Sequence, residues 1–467
     1  MSVKLFNTMS RQLEDFGSIT PNQVKMYCCG PTVYNFAHIG NLRTYLFEDL
    51  LKRTLISNGY KVKHVMNITD VGHLTGDSDD GEDKMAKRSR ETGKSVYEIA
   101  QFYTDAFFSD EEKLNIIRPS IVCKATDNIT EMIEMIKKLE EEGHTYIAGG
   151  NVYFSIDSID DYGKLARLKL DDLRSGARID VDSNKKNPKD FALWFTNSKF
   201  KNQAMTWDSP WGVGYPGWHI ECSAMSMRYL GNHFDIHCGG IDAIPVHHTN
   251  EIAQSEAACG HKPWVNYWCH GEFLINDNGK MSKSSGEFLT LTVLENKGYN
   301  PLVYRYFCLS GHYRTQLKFS YEALDHSKVA FNSLISTVRR LKESGQASVT
   351  PKENAMSYYN AFIAAMNNDL NTPQAMAQLW SLISDNEVTD SDKLAVLYKM
   401  DDILGLKLKE VEMEAAVPEE IQALSMQRIE LKKAKDYAGA DAIRQKILDL
   451  GYDLKDTPKG PIITKRM

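Results

Sequence analysis

The sequence predicts an α/β protein: a parallel-sheet domain interrupted by an insertion, then a helical bundle and a small C-terminal module. Two observations lead there, a β-α-β unit near the start and a change to helix upon helix after about Phe331. Val24-Lys-Met-Tyr-Cys-Cys29 is a short strand-like run closed by Gly30-Pro31. Over residues 41–58, Leu42, Tyr45, Leu46 and Leu50 share one helical face, and Gly59 sits where that helix would end. Residues 61–68 then alternate like a second strand. Strand, helix and strand in that order build a parallel sheet.

Later segments follow the same logic. Residues 76–82 are acidic and glycine-flanked, and read as a solvated loop. From about 121 to 218 a helix over 128–142 mixes with short β-like pieces such as Asn151-Val-Tyr-Phe-Ser155, which suggests an insertion. Residues 232–275 return to buried-strand and helix patterns, and 410–418 look like a linker into a last small helical module. No internal repeat or low-complexity segment is seen.

Composition narrows the function class. Hydrophobic residues make up 42% and charged residues 25%, an ordinary globular balance. No run approaches the roughly 18 apolar residues of a membrane helix, and the start lacks the apolar core of a secretory signal. Fifty-five basic residues stand against 62 acidic ones, a net charge of −7. That excludes a uniform positive coat for nucleic acid but not a local basic face. Residues 418–467 are relatively basic, with 10 Lys/Arg and 8 Asp/Glu. The eight cysteines include no repeated Cys-x-x-Cys pair and read as reduced cytosolic thiols or metal ligands. The expected location is the cytoplasm.

Three groups of residues carry chemistry. His38-Ile-Gly-Asn41 lies between a strand turn and a helix start, where backbone amides and the helix dipole favour phosphate. Gly40 would allow close approach, and His38 and Asn41 would donate to phosphate oxygens, although both residues also suit a plain helix cap. Lys280-Met-Ser-Lys-Ser284 follows a turn at Asp277-Asn-Gly279 and offers two lysines to a charge-shifting group such as a triphosphate. Finally, Pro245 can start a helix that places His247 and Glu251, at i and i+4, on one face. With Cys29 and Cys222 they form a plausible zinc set; a helix cap and two small core thiols is the other reading.

Together, His38-Ile-Gly-Asn41 and Lys280-Met-Ser-Lys-Ser284 resemble the paired signatures of class I aminoacyl-tRNA synthetases, which flank ATP on a Rossmann-like fold. Asn41 stands where that family usually has His; Asn still donates a hydrogen bond, so retained activity is expected. Cys29-Gly-Pro-Thr-Val-Tyr34, Gly217-Trp-His-Ile-Glu-Cys222, Asp235-Ile-His-Cys-Gly-Gly240 and His247-His-Thr-Asn-Glu251 resemble the cysteinyl-tRNA synthetases in particular. The resemblance implies Cys29, Cys222, His247 and Glu251 as zinc ligands, with Cys28 a core thiol and His248 the alternative imidazole. It leaves His219, Glu221 and Asn250 unranked as neighbours of the ligands. Zinc takes a thiolate far more readily than a serine hydroxyl, so the ion would select the substrate and not activate water.

Other positions carry over one at a time. Trp218 would wall the amino-acid pocket, with Gly30, Thr32 and Thr69 beside the substrate. Thr32, Gly239, Gly240 and Asp242 would serve ATP, Asp242 bonding the ribose hydroxyls. His38, Asn41, Lys280 and Lys283 would stabilise charge in the transfer, with Mg²⁺ accompanying ATP. Residues 71–82 intervene where many relatives run straight on to Asp-Asp-Lys, and despite His73 this stretch reads as a solvated loop. Asn368-Asp-Leu-Asn-Thr-Pro373, Ala434–Arg444 and Gly451–Pro458 also fit the family, whose C-terminal module binds the anticodon. Tyr437, Ala440, Ile443, Ile447 and Leu450 give that module a helical face, and Arg428, Lys432, Lys433, Lys435 and Arg444 are candidates for RNA contacts.

The implied organisation is a Rossmann-type catalytic domain in two halves, 1–120 and 219–256, around a connective insertion at 121–218. A connecting domain at 257–330 holds the Lys-Met-Ser-Lys-Ser string, followed by a helical bundle at 331–410 and the anticodon-binding module at 411–467. The implied partners are ATP, L-cysteine and tRNA(Cys), with no membrane, and the expected state is a monomer. Two rivals are a cysteine ligase acting on an amino sugar, which would lack the RNA-binding end, and a non-catalytic zinc and RNA-binding paralogue.

Overall fold

The computed structural model describes residues 2–72, 84–167, 184–196, 205–276, 279–280, 288–413, 418–457 and 460–465. After a hairpin of β1 (Lys4–Asn7) and β2 (Gln12–Asp15) come β3 (Gln23–Cys28), α1 (Ile39–Ser57) and β4 (Lys61–Ile68). Helices α2 (Lys84–Thr92) and α3 (Val96–Lys113) lead to β5 (Ile121–Lys124). Helix α4 (Ile129–Glu141) precedes an antiparallel sheet of β6 (Thr145–Ala148), β7 (Asn151–Phe154), β8 (Phe191–Phe195) and β9 (Tyr215–Pro216). The chain then returns through α5 (Trp218–Leu230), β10 (Phe234–Gly240), α6 (His247–Cys259) and β11 (Val265–Gly271).

Five strands form the body in the order β11-β10-β3-β4-β5, all parallel. Both faces are covered, which is why these strands read as nearly unbroken apolar runs. Along β3, Val24, Met26 and Cys28 join Leu42 and Leu46 of α1 in one core, whereas Tyr27 joins Ile220 of α5 and Ile252 of α6 in the other. Period-two alternation thus sends Cys28 into the core, as expected, and leaves Cys29 just past the strand end.

The sheet extends further than the sequence indicated. Residues 121–124, expected to open the insertion, pair with β4 inside the body sheet, and β11 extends that sheet beyond residue 256. Four residues are too few for periodicity to reveal which sheet a strand joins. The inserted unit is α4 and the antiparallel sheet after it.

Beyond the body, β12 (Leu274–Asn276), β13 (Gly279–Lys280) and β14 (Leu317–Lys318) make a small sheet, with α7 (Leu291–Asn296) and α8 (Pro301–Leu309) between. The bundle comprises α9 (Tyr321–Glu343), which starts before the expected boundary at 331, then α10 (Glu353–Asn367), α11 (Thr372–Ser384) and α12 (Asp390–Leu404). The tail is not wholly helical: α13 (Glu419–Lys433) and α14 (Tyr437–Asp449) pack on a hairpin of β15 (Tyr452–Thr457) and β16 (Gly460–Lys465). Its core joins Ile421, Leu424, Ile447 and Leu454. Of the expected apolar face, Ala440 and Ile447 are buried, whereas Tyr437 and Leu450 at the helix ends are exposed.

Arg305 of α8 ties body to bundle. Its guanidinium donates to Asp49 Oδ2 (2.6 Å), to the carbonyl of Leu404 in α12 (2.6 Å) and to that of Leu114 (2.9 Å), and only 1% of it is exposed. Burial would raise the Asp49 pKa, but Arg305, Arg53 and the Ile117 amide more than offset it and leave the carboxyl below its ordinary range. Arg305→Ala strands this charge and is expected to cost about 3–5 kcal/mol in denaturant unfolding. A depressed carboxyl stabilises above its unfolded pKa, so the loss should be full at neutral pH and shrink as pH falls through the folded value.

Candidate active site

The chain moves from β3 outward to β4 and β5, while β10 and β11 fill the other side of β3. Where strand order reverses in a parallel sheet, a crevice opens at the carboxyl ends of the strands. A cavity of about 490 Å³ lies there, lined by residues 29–38 together with Asn41, Thr69, Trp218, Cys222, Asp242 and His247, among others.

Its floor is shaped by a glycine. A Cβ at Gly30 would overlap the Asn67 carbonyl, so only glycine lets the chain pass so close to β4. The Gly30 amide donates to Asn67 Oδ1 (2.8 Å), and Thr32 bridges to Thr69. Thr69 Oγ1 donates to Glu221 Oε2 (3.1 Å), fixing the strand end against α5. Trp218 opens α5 with its ring 4.7 Å from that of His247.

Helix α1 starts two residues earlier than its periodicity indicates, because His38 caps it. His38 Nδ1 accepts the Asn41 amide (3.2 Å), and Asn41 Oδ1 accepts the His38 amide (3.3 Å). This capping box and a phosphate-facing role are compatible: both side chains line the cavity, and an accepting Nδ1 leaves Nε2 as the donor nitrogen of a neutral ring. Gly40 lies under the His38 ring, with no room for a side chain. Asp242 sits in a single 3₁₀ turn, Ile241–Ala243, in the cavity wall. Gly239 and Gly240 end β10 behind it, and Gly239 faces the His248 ring.

Arg43 links the first motif to the segment carrying the second. It donates to the carbonyls of Glu272, Phe273, His312 and Thr315 at 2.7–3.1 Å. Lys280 ends β13, paired with Ile275. Lys283, residues 277–278 and the 73–83 stretch with His73 lie outside the described residues.

The sequence-predicted ligands converge. One donor atom each from Cys29, Cys222, His247 and Glu251 falls within a mutual 4.8 Å. The two sulfurs are 4.0 Å apart, and His247 Nε2 lies 2.9 Å from Glu251 Oε1. Apart from that contact with His247, the buried oxygen has no hydrogen-bond partner, as suits a ligand atom aimed at an ion. A hydrogen bond from Cys29 lowers the Cys222 pKa against the opposing effect of burial, and the same bond together with burial raises that of Cys29. Burial alone would lower His247, but Glu251 and Cys222 raise it to about 10. Burial would raise Glu251, but His237 and His247 lower it to about 2. Two sulfurs, an imidazole and a carboxylate suit tetrahedral zinc.

Of the layer behind these donors, sequence reasoning offered His219 but missed His237, His270 and Thr8. His237 Nε2 lies 2.9 Å from Glu251 Oε2, and His219 Nδ1 lies 2.9 Å from His247 Nδ1. From Cys29 Sγ a chain runs through His248 Nε2 (3.3 Å), then His270 Nε2 on His248 Nδ1 (2.8 Å), to Thr8 Oγ1 on His270 Nδ1 (2.7 Å). Such outer partners orient metal ligands. Cys29, His237, His248 and Glu251 form a second possible donor set, but neither His237 nor His248 lines the cavity. Asn250 instead accepts from Tyr162. In the tail, Arg428 and Lys432, candidates for RNA contacts, are engaged by Asp456: Arg428 donates both Nη atoms (2.7 and 3.0 Å) and Lys432 its Nζ (2.7 Å).

Residues 15–329 match the class I (C) tRNA synthetase catalytic domain, and residues 361–409 match the DALR domain. A cysteine–tRNA ligase of Treponema denticola is 52% identical over 98% of this chain and 98% of its own. The chain belongs to the cysteine–tRNA ligase family. Another member, cysteine–tRNA ligase 1 of Burkholderia lata, is 48% identical over 98% of this chain and 96% of its own. The fold also resembles Mycobacterium tuberculosis methionyl-tRNA synthetase bound by methionyl-adenylate, with a TM-score of 0.56 over 82% of this chain and 90% of that one, at 14% identity. Among the described residues, no helix is long and apolar enough to cross a membrane.

Zinc needs a neutral imidazole and two thiolates, whereas the metal-free cluster holds protons on Cys29 and His247. Zinc binding at neutral pH is therefore expected to release at least about two protons per ion and to weaken as pH falls. Calorimetry in buffers of different ionisation heat counts them; zero release would contradict the assigned protonation.

Proposed function

We propose that this cavity is the active site of the cysteine–tRNA ligase that family membership makes this chain, and that zinc held by Cys29, Cys222, His247 and Glu251 selects the substrate. The carrying observation is the convergence of those four donors at a cavity that Cys29, Cys222 and His247 line and whose rim is the capped start of α1. L-Cysteine enters with its side chain toward the donors, and Trp218 walls it. Gly30, Thr32 and Thr69 hold its amino and carboxylate ends. When bound, zinc supplies a soft Lewis acid that favours a thiolate over a hydroxyl.

The protein's own residues perform the rest. ATP, accompanied by Mg²⁺, lies along the rim, its phosphates toward the α1 N-terminus, where the helix dipole favours anions. His38 Nε2 and the Asn41 side-chain Nδ2 donate to phosphate oxygens, with Gly40 keeping the approach open. Gly239, Gly240 and Asp242 take adenine and ribose. The cysteine carboxylate attacks the α-phosphorus, pyrophosphate leaves, and cysteinyl-adenylate forms. Lys280 and Lys283 stabilise charge as it develops on the leaving group. The terminal ribose hydroxyl of tRNA(Cys) then attacks the acyl carbon and AMP departs. The DALR match and the tail favour tRNA over an amino sugar as acceptor.

Shape alone separates cysteine from serine by only on the order of 10². ATP–pyrophosphate exchange should therefore favour cysteine by well over ~10² in zinc-loaded protein. In Cys222→Ser, zinc content and that preference should fall together. Full zinc occupancy with unchanged preference would remove Cys222 from the site, and no cysteine-dependent exchange by folded, zinc-loaded wild type would refute the function.

A further inference from the structure

Beside the cavity mouth stands an aromatic cluster that neither cysteine nor ATP requires. Phe36, in the loop before His38, lines the cavity yet is 39% exposed, and Phe102 of α3 is 47% exposed. Their ring centroids are 5.9 Å apart, and both rings pack edge-on against the buried ring of Tyr103, at 5.0 and 5.1 Å. Edge-on packing holds the rings in place while leaving them partly open to solvent. Exposed phenylalanines cost solubility without adding to the core, so a fixed pair at a cavity rim invites a ligand.

The surrounding charge identifies the class of ligand. Residues 88–94 carry three Lys/Arg and one Glu. Lys94 places its ammonium 5.0 Å from the Phe102 ring centroid, and Arg88 donates to the Tyr103 hydroxyl at 2.8 and 3.1 Å. Aromatic faces interleaved with cations make the platform on which unpaired nucleotides stack while their phosphates meet positive charge. A hydrophobic protein partner would not call for that cationic border.

We propose that Phe36 and Phe102 form a stacking ledge for the unpaired nucleotides preceding the terminal adenosine of the tRNA, with Lys94 beside their phosphates. The proposal rests on the function above, because it is the tRNA end entering this cavity that must cross the rim. It makes the ledge a device of the transfer step alone, since adenylate formation involves no RNA.

Phe102→Ala separates the two steps, since Phe102 does not line the cavity. Cysteine-dependent ATP–pyrophosphate exchange should be unchanged, while kcat/KM for tRNA(Cys) in aminoacylation falls about tenfold or more. Phe102→Trp should restore it. A tRNA carrying 2-aminopurine at the penultimate position should be quenched by stacking on wild type and not on Phe102→Ala. Charging by Phe102→Ala at the wild-type kcat/KM for tRNA would overturn the ledge. Parallel loss of exchange and charging would overturn it too, by showing that the ring only supports the fold. Wild type that fails to exchange with cysteine would remove the underlying function and the ledge with it.

Discussion

A carboxylate with no exposure sets the terms for this site. Glu251 keeps its charge in the protein interior because His237 meets one oxygen and His247 stands by the other. An isolated buried carboxylate would take up a proton or unfold its surroundings, so its partners must be present for the fold to hold. The imidazoles are themselves held in turn: His247 by His219, and His237 between the Trp268 ring and the Cys238 carbonyl. The layer behind the ligands is thus a structural requirement of the carboxylate, and it aims Oε1 at the point where the two sulfurs arrive.

Topology delivers the other groups to that point. Cys29 comes from the end of β3, Cys222 from α5, and His247 and Glu251 from successive turns of α6. These elements meet because β3 has β4 on one side and β10 on the other, which places its end at the reversal of strand order. His38 and Asn41, at the N-terminus of α1, line the same cavity as Cys29 and Cys222. Arg43, one turn into α1, clasps four carbonyls of the segments around β12, so the first motif and the strand leading to the second are held as one piece.

Much of this was legible in the sequence, for identifiable reasons. The β3-α1-β4 unit announced itself through strong periodicity, and His247 and Glu251 through helical spacing. The four ligands emerged together only through resemblance, since Cys29 and Cys222 alone look like core thiols. What stayed hidden depends on contacts distant along the chain. His270 and Thr8 belong to the site only because β11 pairs with β10 and the Asn7–Thr8 turn packs on β11. β5 escaped because four residues show no period, and the tail hairpin because short polar strands resemble loops. Arg428 and Lys432, on the basic helix face that suggested RNA, also pair with Asp456 from that unseen hairpin.

The claim that a metal at these four residues reads the substrate's sulfur is tested most directly by zinc K-edge X-ray absorption on the zinc-loaded protein, with and without L-cysteine. Cys29 and Cys222 would supply two sulfur neighbours. Addition of cysteine, and not of serine, should raise the count by one sulfur per zinc. A count that stays at two with saturating cysteine would contradict direct thiolate recognition and leave the metal a purely structural part.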